Sequence, residues 1–279
     1  MTEEIVQAFR VIEKSPHSDG RPVVPGYCNV CGQWVRFAGA HPFRESFVCE
    51  LCYSTSRYRG MASGVLTYIN QLLGCEAESL ESLPDSSAVR LRVLDTQPSF
   101  YSPPYASYSL PDRLSKYEWI EVITTSYRPE KPWGGVLENR VINQNLEELT
   151  FSSNSFDILL TSDVLEHVRL YRKAHSEIAR VLRPGGVYVF TVPHTRNSFD
   201  HIVRVATPDP EDASKDSYVL APEYHGSADP NEGPVLSYRV FGSSLDDELS
   251  DMGFSVTYTN ESNQRNAIFE TELFYCILN

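Results

Sequence analysis

Four of the six cysteines stand in two close pairs, Cys28 and Cys31 in YCNVCG and Cys49 and Cys52 in VCELCY, with 17 residues between the pairs. Two tight knuckles at this separation place four sulfurs around one tetrahedral ion, and the pattern reads as a structural zinc site. Four thiolates neutralise the ion and close its coordination shell, so no position is left for water and no catalytic step is assigned to the metal. Redox-active or disulfide-bonded pairs are the competing reading; a reducing compartment favours the metal. Cys75 and Cys276 sit in apolar surroundings and read as plain buried residues.

The elements that must carry these groups are legible in the periodicity. Residues 3–13 have apolar spacing at Ile5, Ala8, Phe9 and Ile12, which suits an amphipathic helix, and KSPHSDGRPVVPG has linker composition. Beyond Cys52, YRGMASGVLTYINQLLG carries Met61, Val65, Leu66, Ile69, Leu72 and Leu73 on one broad face and stops at Gly74. From about residue 89 short apolar runs alternate with helical ones. VRLRVLDT, YEWIEVITT, NRVINQN, FDILLTSD and GVYVFTVP read as five strands, and YRKAHSEIARVLR reads as a helix with a Pro-Gly-Gly stop. Such alternation implies a parallel sheet with right-handed crossovers, whose ligands sit beyond the carboxyl ends of the strands. Asp95, Ser126, Asn145 and Asp163 fall at or just past those ends. Each also has a plainer reading: a turn cap, a solvated loop residue, or a side chain bonded to its own backbone.

Composition bounds the function. A chain of 279 residues with 41% hydrophobic content has room for one large domain and a small accessory module. The formal charge of −13 argues against broad attraction to nucleic acid or anionic lipid. No run of about 18 apolar residues occurs, and the acidic start MTEEIVQAFRVIEK does not read as a signal peptide, so a cytoplasmic location without a membrane span is expected. Oligomeric state is not encoded in any pattern here.

Residues 145–193, from NLEELTFSSNSFDILLTSDVLEHV to VLRPGGVYVFTVP, resemble the class I S-adenosylmethionine-dependent methyltransferases, specifically the type 11 group. The resemblance extends more weakly over about 89–279, where GSSLDDELSDMGFSVTYT and AIFETELFYCIL look like that family's last helix and closing antiparallel strands. The four-cysteine module followed by RYRG resembles an N-terminal extension of some bacterial members. The resemblance implies a doubly wound α/β Rossmann-like sheet, mostly parallel with an antiparallel last strand. It also implies S-adenosylmethionine over the first half of the sheet and an acceptor over the second. Expected boundaries are a helix and linker at 1–25, the zinc module and its helix at 26–75, and the methyltransferase domain at 86–279 with an insertion at about 205–235.

Carried over residue by residue, the cofactor set is Asp95, Gln97, Ser126, Tyr127, Asn145, Leu146 and Asp163. Asp95 matches the family's acid in the first loop, but in DTQPSFY the glycine places hold Gln97, Ser99 and Tyr101. Side chains there push a ligand outward or reshape the loop. Ser126 replaces the acid that grips the ribose with one hydroxyl, and Asn145 replaces an Asp near adenine with an amide that still accepts a hydrogen bond. Tyr101, Tyr105 and Tyr108 form either a lid in place of the glycines or local packing.

Methyl transfer from a sulfonium needs alignment and, for oxygen or nitrogen acceptors, a base. His225 in PEYHG is the first candidate, His167 in EHV and His194 in VPHTRN the others, each near the sheet's carboxyl edge; the alternative is an ordinary surface or bonded histidine. Glu166 either orients His167 or pairs with Arg169 on a solvated face. Three functions compete: methylation of a small molecule such as a sugar, lipid-linked compound or secondary metabolite; methylation of nucleic acid or protein with the zinc module as reader, through Arg36, Arg44, Arg57 and Arg59; and a non-catalytic or repurposed fold, favoured by the altered first loop.

Overall fold

The two knuckles fold alike. Gly32 N donates to Cys28 O at 2.8 Å and Tyr53 N to Cys49 O at 2.9 Å, and both residues have left-handed backbone, with φ of +68° and +60°. Glycine meets that demand freely in the first knuckle, whereas the second holds a tyrosine in a conformation it rarely adopts. The computed structural model describes residues 20–96, 110–226, 233–260 and 262–279. The expected N-terminal helix, Gln97, Ser99 and the Tyr101, Tyr105 and Tyr108 cluster lie outside the described residues.

The described residues divide into two compact units. One unit, of 20–90, 110–120 and 258–273, contains Cys28, Cys31, Cys49, Cys52 and Cys75. Strands β1 (Val23–Cys28), β2 (Gln33–Ala38) and β3 (Val48–Cys49) form its antiparallel sheet, followed by helix α1 (Ser56–Leu73). Thr55 caps α1 by accepting from Tyr58 N, and Gly74 ends it with φ of +64°. Met61, Val65, Leu66 and Ile69 are buried as the periodicity requires, but Leu72 in the last turn is exposed. A short helix α2 (Leu110–Leu114) precedes Tyr117 and Trp119, whose side chains donate to Leu80 O and Pro84 O at 2.7 and 2.9 Å.

The other unit is built on a seven-stranded sheet. Its strands are β4 (Leu91–Asp95), β5 (Ile120–Ser126), β6 (Ile142–Asn143), β7 (Phe156–Ser162), β8 (Leu182–Thr191), β15 (Phe254–Thr259) and β16 (Leu273–Leu278), in the order β15-β16-β8-β7-β4-β5-β6. Pairs β4/β7, β7/β8 and β5/β6 are parallel, and β16 runs antiparallel to β8. The chain starts at the centre, winds outward through β5 and β6, then returns to the other side of β4, which makes a topological switch point between β4 and β7. This is the Rossmann-like sheet the sequence led us to expect. Helix α3 (Tyr171–Val181) joins β7 to β8. The helix ends at Val181 with Leu182 as its C-cap, two residues before Pro184, as the expected Pro-Gly-Gly stop requires; strand pairing begins at once, and the Pro-Gly-Gly falls in a bulge of β8 between its pairs with Phe156 and Ile158. Such residues interrupt a strand at a bulge without ending it.

The described residues of 202–240, around the insertion expected at about 205–235, form short pairs: β9 (Ile202–Val203) with β14 (Arg239–Val240), β10 (Val205–Ala206) with β11 (Ser217–Tyr218), and β12 (Glu223–His225) with β13 (Val235–Ser237). Helix α4 (Ser244–Asp251) follows. In the core, Phe190 stacks on Tyr188 at 4.2 Å and on Phe274 at 4.6 Å. Among the described residues no helix is long and apolar enough to cross a membrane.

His175 of α3 lies fully buried against Tyr171, Tyr188 and Phe190, and neither ring nitrogen has a hydrogen-bond partner among the described residues. Burial pushes its pKa down to about 3. An unfolded histidine titrates near 6.5, so as pH falls the unfolded chain binds the proton first. The stability of the neutral buried ring is intact above about pH 6.5 and is lost towards about pH 3, by up to ~1.4 kcal/mol per pH unit. In denaturant titrations from about pH 6 to pH 4.5, His175→Phe is expected to remove about one proton from this slope. An unchanged slope would show that the ring is not held neutral.

Candidate functional site

The four cysteine sulfurs converge. Cys28 Sγ lies 3.6 Å from Cys52 Sγ and Cys31 Sγ 3.8 Å from Cys49 Sγ, and all four fall within 4.8 Å of one another. A tetrahedral ion with Zn–S distances of about 2.3 Å needs sulfurs about 3.8 Å apart, so the set fits zinc. Three of the cysteines are essentially inaccessible and Cys31 is nearly so, and Cys52 N points at Cys49 Sγ at 3.4 Å. The two remaining cysteines are less alike than expected: Cys276 is buried, while Cys75 is half-buried and donates to Asn70 Oδ1 at 3.2 Å.

Arg59 was expected to join a basic surface patch with Arg36, Arg44 and Arg57. Instead it is fully buried beneath the sulfurs. Its guanidinium donates to Asn266 O, Ala267 O and Phe47 O at 2.7 Å each, and also to Ser54 O, and it lies 4.2 Å from the Phe37 ring centre. Ser54 Oγ is 3.4 Å from Cys28 Sγ and 3.2 Å from Cys52 Sγ, which links the cation to the cluster. Burial lowers the Arg59 pKa to about 10, against the opposing pull of the four cysteines. A zinc ion with four thiolates carries two net negative charges, and a buried cation beside it offsets part of that charge. The other three arginines meet acids, Arg36 with Glu50 and Arg44 and Arg57 with Glu45.

At the sheet edge, Asp95 ends β4 and Ser126 ends β5, both nearly buried, and Thr125 Oγ1 donates to Asp95 O at 3.4 Å. Ser126 O accepts from Gln144 N at 2.9 Å, so β6 and the loop after it are pinned beside β5. Tyr127 is exposed and packs on Trp133 at 5.5 Å. Asn145 Oδ1 accepts from Glu147 N at 3.0 Å, the turn bond that was its plainer reading, and Leu146 beside it is buried. A residue that the periodicity did not single out organises this loop: the buried Asn143 accepts from Arg128 N and donates to Arg128 O and Lys131 O, at 2.8, 2.8 and 2.9 Å.

Asp163 follows β7 with φ of +51°, a left-handed conformation that Asp tolerates better than most residues. Thr191 Oγ1 at the end of β8 donates to its Oδ1 at 2.9 Å and fixes the carboxylate. Three residues on, Glu166 is fully buried, which excludes the solvated pairing with Arg169; Arg169 binds Asp216 at 2.7 Å instead. Glu166 Oε1 lies 3.7 Å from His167 Nε2 and 3.9 Å from His225 Nδ1, and the two imidazoles meet edge to face at 5.0 Å. Burial lowers the His167 pKa, partly countered by its bond to Leu236 O. Arg239, buried, donates to Val168 O and Arg169 O at 2.6 and 2.9 Å and holds this turn in place. His167 and His225 thus come together, with Glu166 as a third member. His194 is not in that cluster: it bonds Gly242 O at 3.1 Å, packs on Phe274, and burial lowers its pKa to about 4.

Comparison with known proteins gives a match over residues 118–190 to a family described as a methyltransferase domain, the stretch that holds β5, β7, Asp163, Glu166 and His167. This bears out the resemblance to the class I methyltransferases. A sarcosine/dimethylglycine N-methyltransferase from Aphanothece halophytica is 43% identical over 54 residues, 19% of this chain and 20% of that protein. The match therefore spans a fifth of that relative's length. Among solved structures, an S-adenosylmethionine-dependent methyltransferase from Mesorhizobium loti is 16% identical with a TM-score of 0.39, over 70% of this chain and 92% of that one. A 1,6-didemethyltoxoflavin-N1-methyltransferase from Burkholderia thailandensis is 14% identical with a TM-score of 0.38, over 80% and 79%.

Proposed function

We propose that this chain transfers a methyl group from S-adenosylmethionine to a small-molecule acceptor, and that its four-cysteine module holds a structural zinc ion. The reading is carried by one observation: a methyltransferase-domain match over 118–190 takes in Ser126 and Asp163 at the ends of β5 and β7, on either side of the β4 that ends at Asp95. The donor set at that edge suits the cofactor, with carboxylates at Asp95 and Asp163 and a hydroxyl at Ser126. Tyr127, Asn145 and Leu146 belong to the same loops, and Gln97 follows Asp95 in the chain. When bound, the cofactor supplies a methyl group on a sulfonium, whose thioether leaves without protonation. Asp163 is oriented for contact by Thr191, and Asn143 keeps the loop after β5 in register with β6. The acceptor's proton, where it has one to lose, is taken up at the cluster of Glu166, His167 and His225. A small-molecule acceptor agrees with the acidic net charge, with the pairing of Arg36, Arg44 and Arg57 to acids, and with the substrate in the Aphanothece enzyme's name.

Thermal shift tests the reading. S-adenosylhomocysteine at about 100 times its Kd is expected to stabilise the protein by ~2.7 kcal/mol. Asp163→Asn keeps the acceptor for Thr191 and tolerates the positive φ but loses the charge. It is expected to weaken binding roughly tenfold, about 1.4 kcal/mol. A shift equal to that of the unaltered protein would remove Asp163 from the site. No shift in either protein would favour a repurposed fold, in keeping with the non-glycine first loop.

A further inference from the structure

We propose that Glu166, His167 and His225 form a second metal site, specific for a divalent first-row transition ion and distinct from the four cysteines. The hydrogen bonds on the far side of each ring decide which nitrogen faces inward. His167 Nδ1 lies 2.9 Å from Leu236 O, and a carbonyl only accepts, so the proton is on Nδ1 and the lone pair of the neutral ring is on Nε2. His225 Nε2 lies 3.1 Å from Glu223 Oε1, so the proton is there and the lone pair is on Nδ1. Those two nitrogens are the ones turned to Glu166 Oε1, at 3.7 and 3.9 Å, with all three donors within 4.8 Å of one another. Ligand histidines in metal sites are held in this way, with the outer N–H given to a carbonyl or carboxylate.

An ion about 2.0–2.2 Å from each donor needs donors roughly 3.4 Å apart, so the two carboxylate–imidazole separations of 3.7 and 3.9 Å close by about 0.3 and 0.5 Å, and the nitrogen–nitrogen separation, within 4.8 Å, by at most about 1.4 Å. Two imidazoles and one carboxylate suit Zn²⁺, Fe²⁺, Mn²⁺ or Co²⁺ and disfavour Ca²⁺ and Mg²⁺, which take oxygen ligands. Three protein ligands leave at least one position open to water or to an oxygen or nitrogen of a bound molecule, unlike the closed cysteine site. The fold preorganises the set. One hairpin supplies both His225 on β12 and the Leu236 carbonyl on β13, and Tyr238 N donates to Glu166 O at 2.8 Å. With an ion bound, these nitrogens and the carboxylate ligate it and have no lone pair left for the acceptor's proton, so the inference replaces the proton-accepting role given to them above; it does not rest on methyl transfer, because metal content is read without turnover.

The test is metal stoichiometry of the whole 279-residue chain after equilibration with Zn²⁺, and again with Co²⁺. The unaltered protein is expected to hold two ions per chain. His225→Ala, at a partly exposed position, and the isosteric Glu166→Gln should each hold one. With Co²⁺ they should retain the sulfur-to-cobalt charge-transfer absorption and lose the weaker nitrogen/oxygen ligand-field bands. Glu223→Gln, which removes only the outer partner of His225, is expected to weaken the second ion roughly 10- to 100-fold. One ion in the unaltered protein, or two that persist in both His225→Ala and Glu166→Gln, would overturn the proposal.

Discussion

Cys49→Ser, or removal of the metal with a chelator, is expected to unfold residues 20–90. The unit around the cysteines has a three-stranded sheet whose third strand has two residues, and β3 contains Cys49 itself. So small a sheet has little apolar area with which to offset the entropy of ordering its loops. Structural zinc supplies on the order of 10–16 kcal/mol of apparent binding free energy in small zinc-folded peptides, and binding is folding there. The expected observation is loss of hydrogen-exchange protection at Gly32 N, Tyr53 N and Cys49 N, with new proteolytic cleavage in 20–90. The strands β7 and β8 should keep theirs. Unchanged protection at these amides in metal-free protein would show that the sulfurs gather without an ion, as the reduced-thiol or disulfide reading requires.

Arg59→Met is expected to be nearly as damaging, although it leaves every cysteine in place. Methionine matches the length of the aliphatic stem but leaves the carbonyls of Phe47, Ser54, Asn266 and Ala267 without their donor. Each unsatisfied buried carbonyl costs about 1–3 kcal/mol, so a loss of roughly 4 kcal/mol or more is expected. The charge of the proposed zinc–thiolate cluster is also left less compensated. Arg59→Lys keeps the charge without the planar fork and should lie between the two. Denaturant unfolding of the metal-loaded proteins reads the difference. A change below about 1 kcal/mol for Arg59→Met would contradict the role given to this side chain.

Much of the architecture was legible because it rests on local patterns. Cysteine spacing located the knuckles, apolar periodicity located α1, β4, β5, β7 and α3, and the alternation of the two predicted a parallel sheet. What escaped was set by distant partners. Arg59 read as one of four surface cations because its acceptors at Asn266 and Ala267 lie 207 and 208 positions along the chain. The same contacts place 258–273 in the unit that contains the cysteines, where a continuous domain from 86 to 279 had been expected. Pro184-Gly185-Gly186 marked the end of α3, but local propensity could not show that β8 begins before it and bulges between its pairs with Phe156 and Ile158. At the site, His167 and His225 were singled out one by one, yet their meeting at Glu166 depends on the β12/β13 hairpin, which has no strong alternation in sequence. Glu166 beside a histidine, between apolar Leu165 and Val168, was the available clue.

The central claim is that the edge past β4, β5 and β7 accepts an adenosyl sulfonium although the first loop has no glycines. Isothermal titration of S-adenosylhomocysteine into the metal-loaded 279-residue chain addresses it most directly. The account predicts one saturable site per chain, with affinity reduced in Asp163→Asn. Absence of heat up to about 1 mM ligand, with the protein folded and its zinc in place, would contradict it.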